Sequence, residues 1–498
     1  MSTARIVVHD AYLIGDVDRR LFGSFVEHMG RAVYGGIYEP GHATADEHGF
    51  RTDVLRLVKE LGPTMVRYPG GNFVSAYNWE DGVGPVEDRP VRLDLAWRSR
   101  ETNRVGLAEF AAWSENADVE LMMAVNLGTR GVDAARNLVE YCNHPGGTYW
   151  SDLRRSHGVA DPYGIKIWCL GNEMDAPWQI GHKTAVEYGR IALESAKAMR
   201  RVDPGIELVA CGSSNRWMPT FGEWEATVLE ETYEQVDYIS LHNYYEDVDG
   251  DAASFLASSD SMDDFITSVV ATADHIKGKL HSRKSIQLSF DEWNVWHQTE
   301  FHSHDGSREA WREAPDLAED VYTVTEAVVV GSLLISLLNH ADRVRMACIA
   351  QLVNVIAPIT TVEGGAAWRQ TTFFPFADVA ARAGGVALRL DIDAGRHETA
   401  KYGEVDDVVA AATWDEGTGE IVIFAANRSL DRTVELDLVL GGRFEGYRAM
   451  AHRVLTHDDR DAANTADRME NVTPRTVSVT DSVAFPPVSW NVVTLRRA

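Results

Sequence analysis

Trp168-Cys169-Leu170-Gly171-Asn172-Glu173 and Leu288-Ser289-Phe290-Asp291-Glu292-Trp293 each run an apolar, strand-like segment straight into a carboxylate. In a closed parallel barrel all strands end at one rim, so acids that follow two different strands meet there whatever their separation in the chain. Whether these segments belong to such a barrel depends on what surrounds them.

From about residue 20 to residue 355, short strand-like runs alternate with longer amphipathic stretches, the rhythm of a parallel sheet built from βα units. Eight runs qualify as strands, at 22–26, 64–68, 121–127, 165–170, 207–211, 238–241, 285–290 and 343–352. Helical patterns fall at 53–61, 106–117, 132–142, 183–202, 262–277 and 317–339. In the first, Val54, Leu57, Val58 and Leu61 share one face and Gly62-Pro63 stops the helix. A doubly wound α/β sheet gives the same local pattern. The position of the polar residues favours a (β/α)8 TIM barrel instead. Nearly every strand ends in them: Glu27-His28, Arg67-Tyr68, Asn126, Asn172-Glu173, Ser213-Ser214-Asn215, His242-Asn243-Tyr244, Asp291-Glu292 and Gln351 to Asn354. A site assembled from all the strand ends is what a barrel provides.

Beyond about residue 385 helical periodicity gives way to short alternating runs at 421–425, 433–440, 447–455, 475–480 and 490–495, which reads as an antiparallel, jelly-roll-like β-sandwich. The opening run 4–8 precedes the first barrel strand and is free to join that sandwich. The expected division is therefore a barrel over 15–385 and a sandwich over 386–498 joined by 1–14. With 498 residues, one large domain plus a smaller one is the natural arrangement.

The chain carries 47 basic and 75 acidic residues, a net charge of −28, which opposes binding to nucleic acid or to an anionic membrane. No segment is apolar enough for a signal peptide or a membrane span, so the expected location is the cytoplasm. Cys142, Cys169, Cys211 and Cys348 show no metal or redox spacing and read as buried thiols. The sequons at Asn427 and Asn471 would matter only in a secreted chain. No HExxH or Asp-rich loop is present; His302 and His304 read as part of a solvated loop, and neither a metal nor a cofactor is expected.

Two carboxyl groups at one rim can flank a glycosidic bond, one giving a proton and the other supplying a nucleophile or activating water. In Gly171-Asn172-Glu173 the glycine turns the chain off the strand, and Asn172 is placed for a sugar hydroxyl. Glu173 then reads as the acid/base, a role that needs a raised pKa. Glu292 is flanked by Asp291, Trp293 and Trp296, and the two tryptophans would supply apolar faces for sugar C–H groups. Glu292 reads as the nucleophile, with Asp291 as competitor because alternation along a strand sends one of the pair inward and the other away. Arg67, at the end of a buried strand, is expected to face a carboxylate such as Glu292, whether for chemistry or as a structural ion pair. Tyr244 can donate to the nucleophile and His242 can hold the network, or each can be a satisfied core residue. Glu27, Asn72 and Gln351 suit sugar hydroxyls, and Trp97 and Trp178 suit pocket walls.

Taken together, Phe22 to His28, Arg67 to Phe73, Tyr77 to Pro85, Leu170 to Asp175, Trp178 to His182, Phe290 to Asn294 and Pro486 to Val492 resemble the family 51 glycoside hydrolases, the intracellular bacterial α-L-arabinofuranosidases. The resemblance covers almost the whole chain. It implies a barrel with a C-terminal sandwich, retention of anomeric configuration, Glu173 as acid/base on the fourth strand and Glu292 as nucleophile on the seventh. It further implies a furanose held by Glu27, Asn72, Asn172, Tyr244 and Gln351, no cofactor, and a hexamer. The loop 300–314 matches less readily.

The leading expectation is thus an exo-acting enzyme releasing terminal arabinofuranose from arabino- or arabinoxylo-oligosaccharides. A β-xylosidase or endo-β-glucanase with the same two-glutamate chemistry is the alternative. A non-catalytic carbohydrate-binding protein is disfavoured by the presence of both acids.

Overall fold

In the computed structural model, which describes residues 2–304, 307–479 and 482–497, eight parallel strands close into a barrel. They are β1 (Gly23–Phe25), β2 (Met65–Tyr68), β3 (Glu120–Ala124), β4 (Ile167–Leu170), β5 (Glu207–Ala210), β6 (Tyr238–Tyr245), β7 (Gln287–Val295) and β8 (Val344–Ala350), each hydrogen-bonded to its neighbours and β8 back to β1. Every expected strand is present. β6 and β7 run several residues further than their apolar cores suggested, because their polar ends remain paired up to Tyr245 and Val295.

The helix Thr52–Leu61 buries Val54, Leu57, Val58 and Leu61, and Gly62 closes it at φ 76° with its N–H on the Val58 carbonyl. The helix expected from residue 317 begins only at Val324. Thr323 caps it: its hydroxyl accepts from the Thr325 N–H, while the Glu326 carboxylate accepts from the Thr323 N–H at 2.8 Å. This capping box overrides the apolar run before it. The sequence pattern also missed the helices Tyr149–Ser156, Glu223–Thr232 and Phe373–Arg382.

The C-terminal region is built on two sheets. Seven antiparallel strands run in the order Leu13–Asp16, Val386–Leu388, Val408–Asp415, Glu420–Asn427, Ser489–Arg497, Tyr447–Leu455 and Arg475–Ser478. The end of the expected strand 475–480, Thr480, lies outside the described residues, as do Met1, Asp305, Gly306, Asp481 and Ala498. The second sheet contains Asp391–Asp393, Ser2–His9, Val434–Gly441 and Ala484–Phe485. The opening strand does join it, but parallel to Val434–Gly441, so the sandwich is not wholly antiparallel.

The helix Val324–Asn339 explains how the two regions pack. It is apolar all round and buried along almost its whole length, as a helix wedged between the barrel and the large sheet must be. At Gly331 a Cβ would stand 2.4 Å from the Trp490 ring. All four cysteines are free and buried, and among the described residues no helix is long and apolar enough to cross a membrane.

Candidate active site

The rim of the barrel opens into a cavity of about 980 Å³. Glu27, Asn72, Trp97, Glu173, Trp178, Tyr244, Glu292, Trp296 and Gln351 all line it. Arg67, Asn172 and His242 lie just behind, 1–2% exposed.

Glu292 is held within the strands. Arg67 Nη1 donates to its Oε1 at 2.7 Å and the Tyr244 hydroxyl to its Oε2 at 2.9 Å. The backbone leaves no spare room, since a Cβ at Gly71 would meet Oε1 at 2.8 Å. Arg67 Nη2 also donates to Asn172 Oδ1 at 2.8 Å, which ties β2 to the end of β4. Asn172 in turn directs its Nδ2 to Asn72 Oδ1 at 3.4 Å.

The expected alternation at Asp291 and Glu292 fails. Both are buried, and both face the interior network. Register shifts opposite β8, between Phe290 and Trp293, and opposite β6, between Ser240 and His242, are the cause. A bulge admits an extra residue and re-aims side chains. Asp291 therefore accepts from His242 Nε2 at 3.0 Å and lies 3.8 Å from Arg67 Nε, while Trp293, expected as a sugar platform, is wholly buried in the core around the barrel. Trp296 alone of the two tryptophans reaches the cavity, with its ring against Tyr244.

Glu173 is built differently. It follows β4 at a φ of 45°, a left-handed conformation costly for a non-glycine residue and found where a site over-determines the backbone. Trp178 Nε1 donates to its Oε2 at 2.8 Å and Gln179 Nε2 at 3.4 Å. Gln179 also donates to Asn72 Oδ1 and accepts from the Ser75 hydroxyl at 2.6 Å. Gln179 is given no role from the sequence; its signal is its place in the stretch Trp178 to His182 that carries the family resemblance.

His242 bridges the two acids. Nδ1 lies 3.0 Å from Glu173 Oε1 and 3.6 Å from Glu292 Oε2. Burial disfavours its charged form, but the Glu292, Asp291 and Glu173 carboxylates outweigh this and lift the imidazole to about 10. The ligand atoms of Glu173, His242 and Glu292 lie within 4.8 Å of one another, a spacing that could hold a cation. An imidazolium with both nitrogens donating to carboxylates has no lone pair for a metal, so the donor set does not fit that role.

Burial raises Glu292, while His242 and Arg67 pull it back toward ionisation. Glu27 has no such cation: burial first and the charge of Glu292 second push it to about 8. Its Oε1 accepts from the Phe73 N–H at 2.8 Å and from Trp97 Nε1 at 2.9 Å. Gln351 Oε1 accepts from the Glu27 N–H at 3.0 Å, so part of its amide is already engaged by protein. Asn126, also at a strand end, is drawn away to the Tyr77 carbonyl and Thr129.

Comparison with known proteins identifies the family. The family model for the α-L-arabinofuranosidase C-terminal domain matches residues 291–489, and that for the α-L-arabinofuranosidase 1 domain matches 57–264. An intracellular exo-α-(1→5)-L-arabinofuranosidase of Bacillus subtilis (strain 168) is 55% identical over 505 residues, covering 100% of both chains. An exo-α-(1→6)-L-arabinofuranosidase of Bifidobacterium longum is 51% identical, over 100% of this chain and 98% of its own. The solved structure of a family 51 α-L-arabinofuranosidase from Bifidobacterium longum superposes with a TM-score of 0.96 at 47% identity, covering 100% of each chain. With identity above one half and coverage end to end, the chain belongs to the family 51 α-L-arabinofuranosidases.

Proposed function

We propose that this glycoside hydrolase releases terminal α-L-arabinofuranose from arabino- and arabinoxylo-oligosaccharides by double displacement, with Glu292 as nucleophile and Glu173 as acid/base. The observation that carries the assignment is the approach of the two carboxyl groups, whose oxygens lie within 4.8 Å. Retaining glycosidases place the pair at roughly 5–5.5 Å, inverting ones at roughly 6.5–9.5 Å to admit a water.

Glu292 attacks the anomeric carbon as the bond to the leaving oxygen breaks, and Glu173 gives that oxygen its proton. Water then loses a proton to Glu173 and attacks the same carbon, which frees Glu292. The cations support this division of roles. Asp291, Glu292 and Glu173 share the two cationic side chains Arg67 and His242. Glu292 touches the guanidinium directly, and Arg67 and His242 pull it toward ionisation against its burial. Glu173 meets neutral N–H donors from Trp178 and Gln179 besides His242 and touches no guanidinium, which suits the acid that passes a proton to the leaving oxygen.

Glu27, Asn72, Asn172, Tyr244 and Gln351 are proposed to hold the furanose, between walls formed by Trp97, Trp178 and Trp296. No resident cofactor or metal takes part in this scheme. We place the enzyme in the cytoplasm, where relatives named intracellular act, and assign it a hexameric assembly on family likeness; sedimentation velocity would test the latter. The activity test is a panel of aryl α-L-arabinofuranoside, aryl β-D-xyloside, a cello-oligosaccharide and (1→5)- and (1→6)-linked arabinobiose. Release of arabinose of retained configuration by NMR is expected. Cleavage of the xyloside or glucan alone, or an inverted product, would reject the proposal.

A further inference from the structure

Past the two glutamates the cavity reaches an indole that the proposed reaction leaves unused. Trp217 is 65% exposed, yet it lines the same cavity as Glu173 and Trp178. A single exposed aromatic is ordinary in itself. Three observations distinguish this one.

Its loop is tied to the loop of Glu173. The Ser214 N–H donates to both Asp175 carboxylate oxygens at 3.2 Å, the Ser214 hydroxyl donates to the same group, and Asn215 Oδ1 accepts from the Trp217 N–H at 2.8 Å. An acid that protonates the leaving oxygen stands on the leaving-group side of the bond, so the wall anchored to its loop faces the part of the substrate that departs. The ring is also braced, with the Arg216 guanidinium 4.8 Å from its centroid and pinned by the Ser261 carbonyl at 2.9 Å and hydroxyl at 3.1 Å. Finally, Lys401 reaches it from the C-terminal region, out of the turn joining the strands Arg396–Thr399 and Gly403–Asp406. The Lys401 backbone N–H donates to Ser254 Oγ at 3.0 Å, and its ammonium stands 5.9 Å from the Trp217 centroid and 5.2 Å from that of Tyr402. Among the described residues this ammonium meets no carboxylate or carbonyl, so its N–H bonds are open to hydroxyl oxygens.

We propose that Trp217 and Lys401 form a distal subsite for the second sugar of the leaving chain, the ring stacking on the indole and a hydroxyl accepting from Lys401. Trp178, bonded to Glu173, takes the first leaving sugar; Trp217 lines the same cavity on a loop tied to that of Glu173. A sugar's apolar C–H face suits an indole, and a neutral ring adds no charge beside Arg216 and Lys401. The inference rests on Glu173 being the acid/base.

The test is steady-state kinetics on aryl α-L-arabinofuranoside and (1→5)-linked arabinobiose, arabinotriose and arabinotetraose. In the parent enzyme kcat/KM should rise from biose to triose. Trp217→Ala should remove that rise by increasing KM for triose about tenfold, equivalent to about 1.4 kcal/mol, with kcat held and biose little affected. Trp217→Tyr should restore most of it, and Lys401→Met should remove part. Activity without length dependence in the parent, or a Trp217→Ala loss as large on the aryl substrate as on triose, would overturn the subsite alone. A parent inactive on every arabinofuranoside would overturn the activity reading and the subsite with it.

Discussion

Glu292 and Glu173 bring their oxygens within 4.8 Å of each other, but one is held by strands and a guanidinium and the other by a loop and an indole. Glu292 sits in β7 with Arg67 and Tyr244 donating to it, so cation and hydroxyl work against the burial that raises its pKa. Glu173 stands just past β4 at a φ of 45° with hydrogen bonds from Trp178 and Gln179. The difference teaches that two acids of the same type, close together, acquire different surroundings from the elements that hold them, and the roles proposed for them follow from those partners. His242, touching both, couples them.

Removing the carboxylates breaks the comparison most severely. Glu292→Ala is expected to lower turnover on every substrate by about 10⁴- to 10⁶-fold, the scale of losing a covalent nucleophile. Glu173→Ala should cost about 10²- to 10⁴-fold on natural linkages but spare the first step of aryl glycosides with good leaving groups. A glycosyl-enzyme should then accumulate and be visible by intact-protein mass spectrometry. Equal losses by both variants on both kinds of substrate would abolish the assigned distinction.

Arg67→Met attacks the Glu292 side alone. It leaves Asp291 and Glu292 buried with one cation fewer, and breaking a buried pair costs about 3–5 kcal/mol. A lower melting temperature is expected, and the acidic limb of the kcat/KM profile should shift to higher pH because Glu292 then protonates more readily. An unmoved limb would show that Arg67 is purely structural.

His242 sharpens the comparison through pH. Its folded pKa of about 10 lies above the ordinary 6.5, so the folded state holds the proton more tightly. The resulting stabilisation is complete below pH 6.5 and is lost as pH rises through about 10. Thermal denaturation should show a melting temperature falling across that window, with a smaller slope in His242→Gln; parallel curves would contradict the bridge.

The smallest effect is expected on the Glu173 side. Trp178→Phe keeps a ring but deletes the N–H that Glu173 accepts, a loss of about 0.5–1.5 kcal/mol, or two- to tenfold in kcat on poor leaving groups. A comparable loss on aryl substrates would place Trp178 in general packing instead.

Much of this site can be read along the chain. Residues that end parallel strands converge by topology alone, which is why Glu27, Arg67, Asn172, Glu173, Tyr244, Glu292 and Gln351 could be picked out one strand at a time. Residues brought in by loops could not. Gln179 looks like any amide, and its contacts with Asn72, Ser75 and Glu173 exist only once the loop folds over the rim. Strict alternation likewise gave the wrong answer at Asp291, because a bulge depends on partner strands and not on the bulged segment; Trp293, picked for its place beside Glu292, points out of the barrel as alternation requires.

By itself, then, the sequence determined the eight-strand rhythm, the arrival of Glu173 and Glu292 at the strand ends and the change to a sandwich after the barrel, since each is a local pattern of polarity and period. Only the tertiary structure decided that Asp291 shares the interior with Glu292, that His242 becomes a cation among three carboxylates and that Lys401 reaches the Trp217 ring. Register, burial and the field of neighbouring charges arise between segments, and no one segment encodes them.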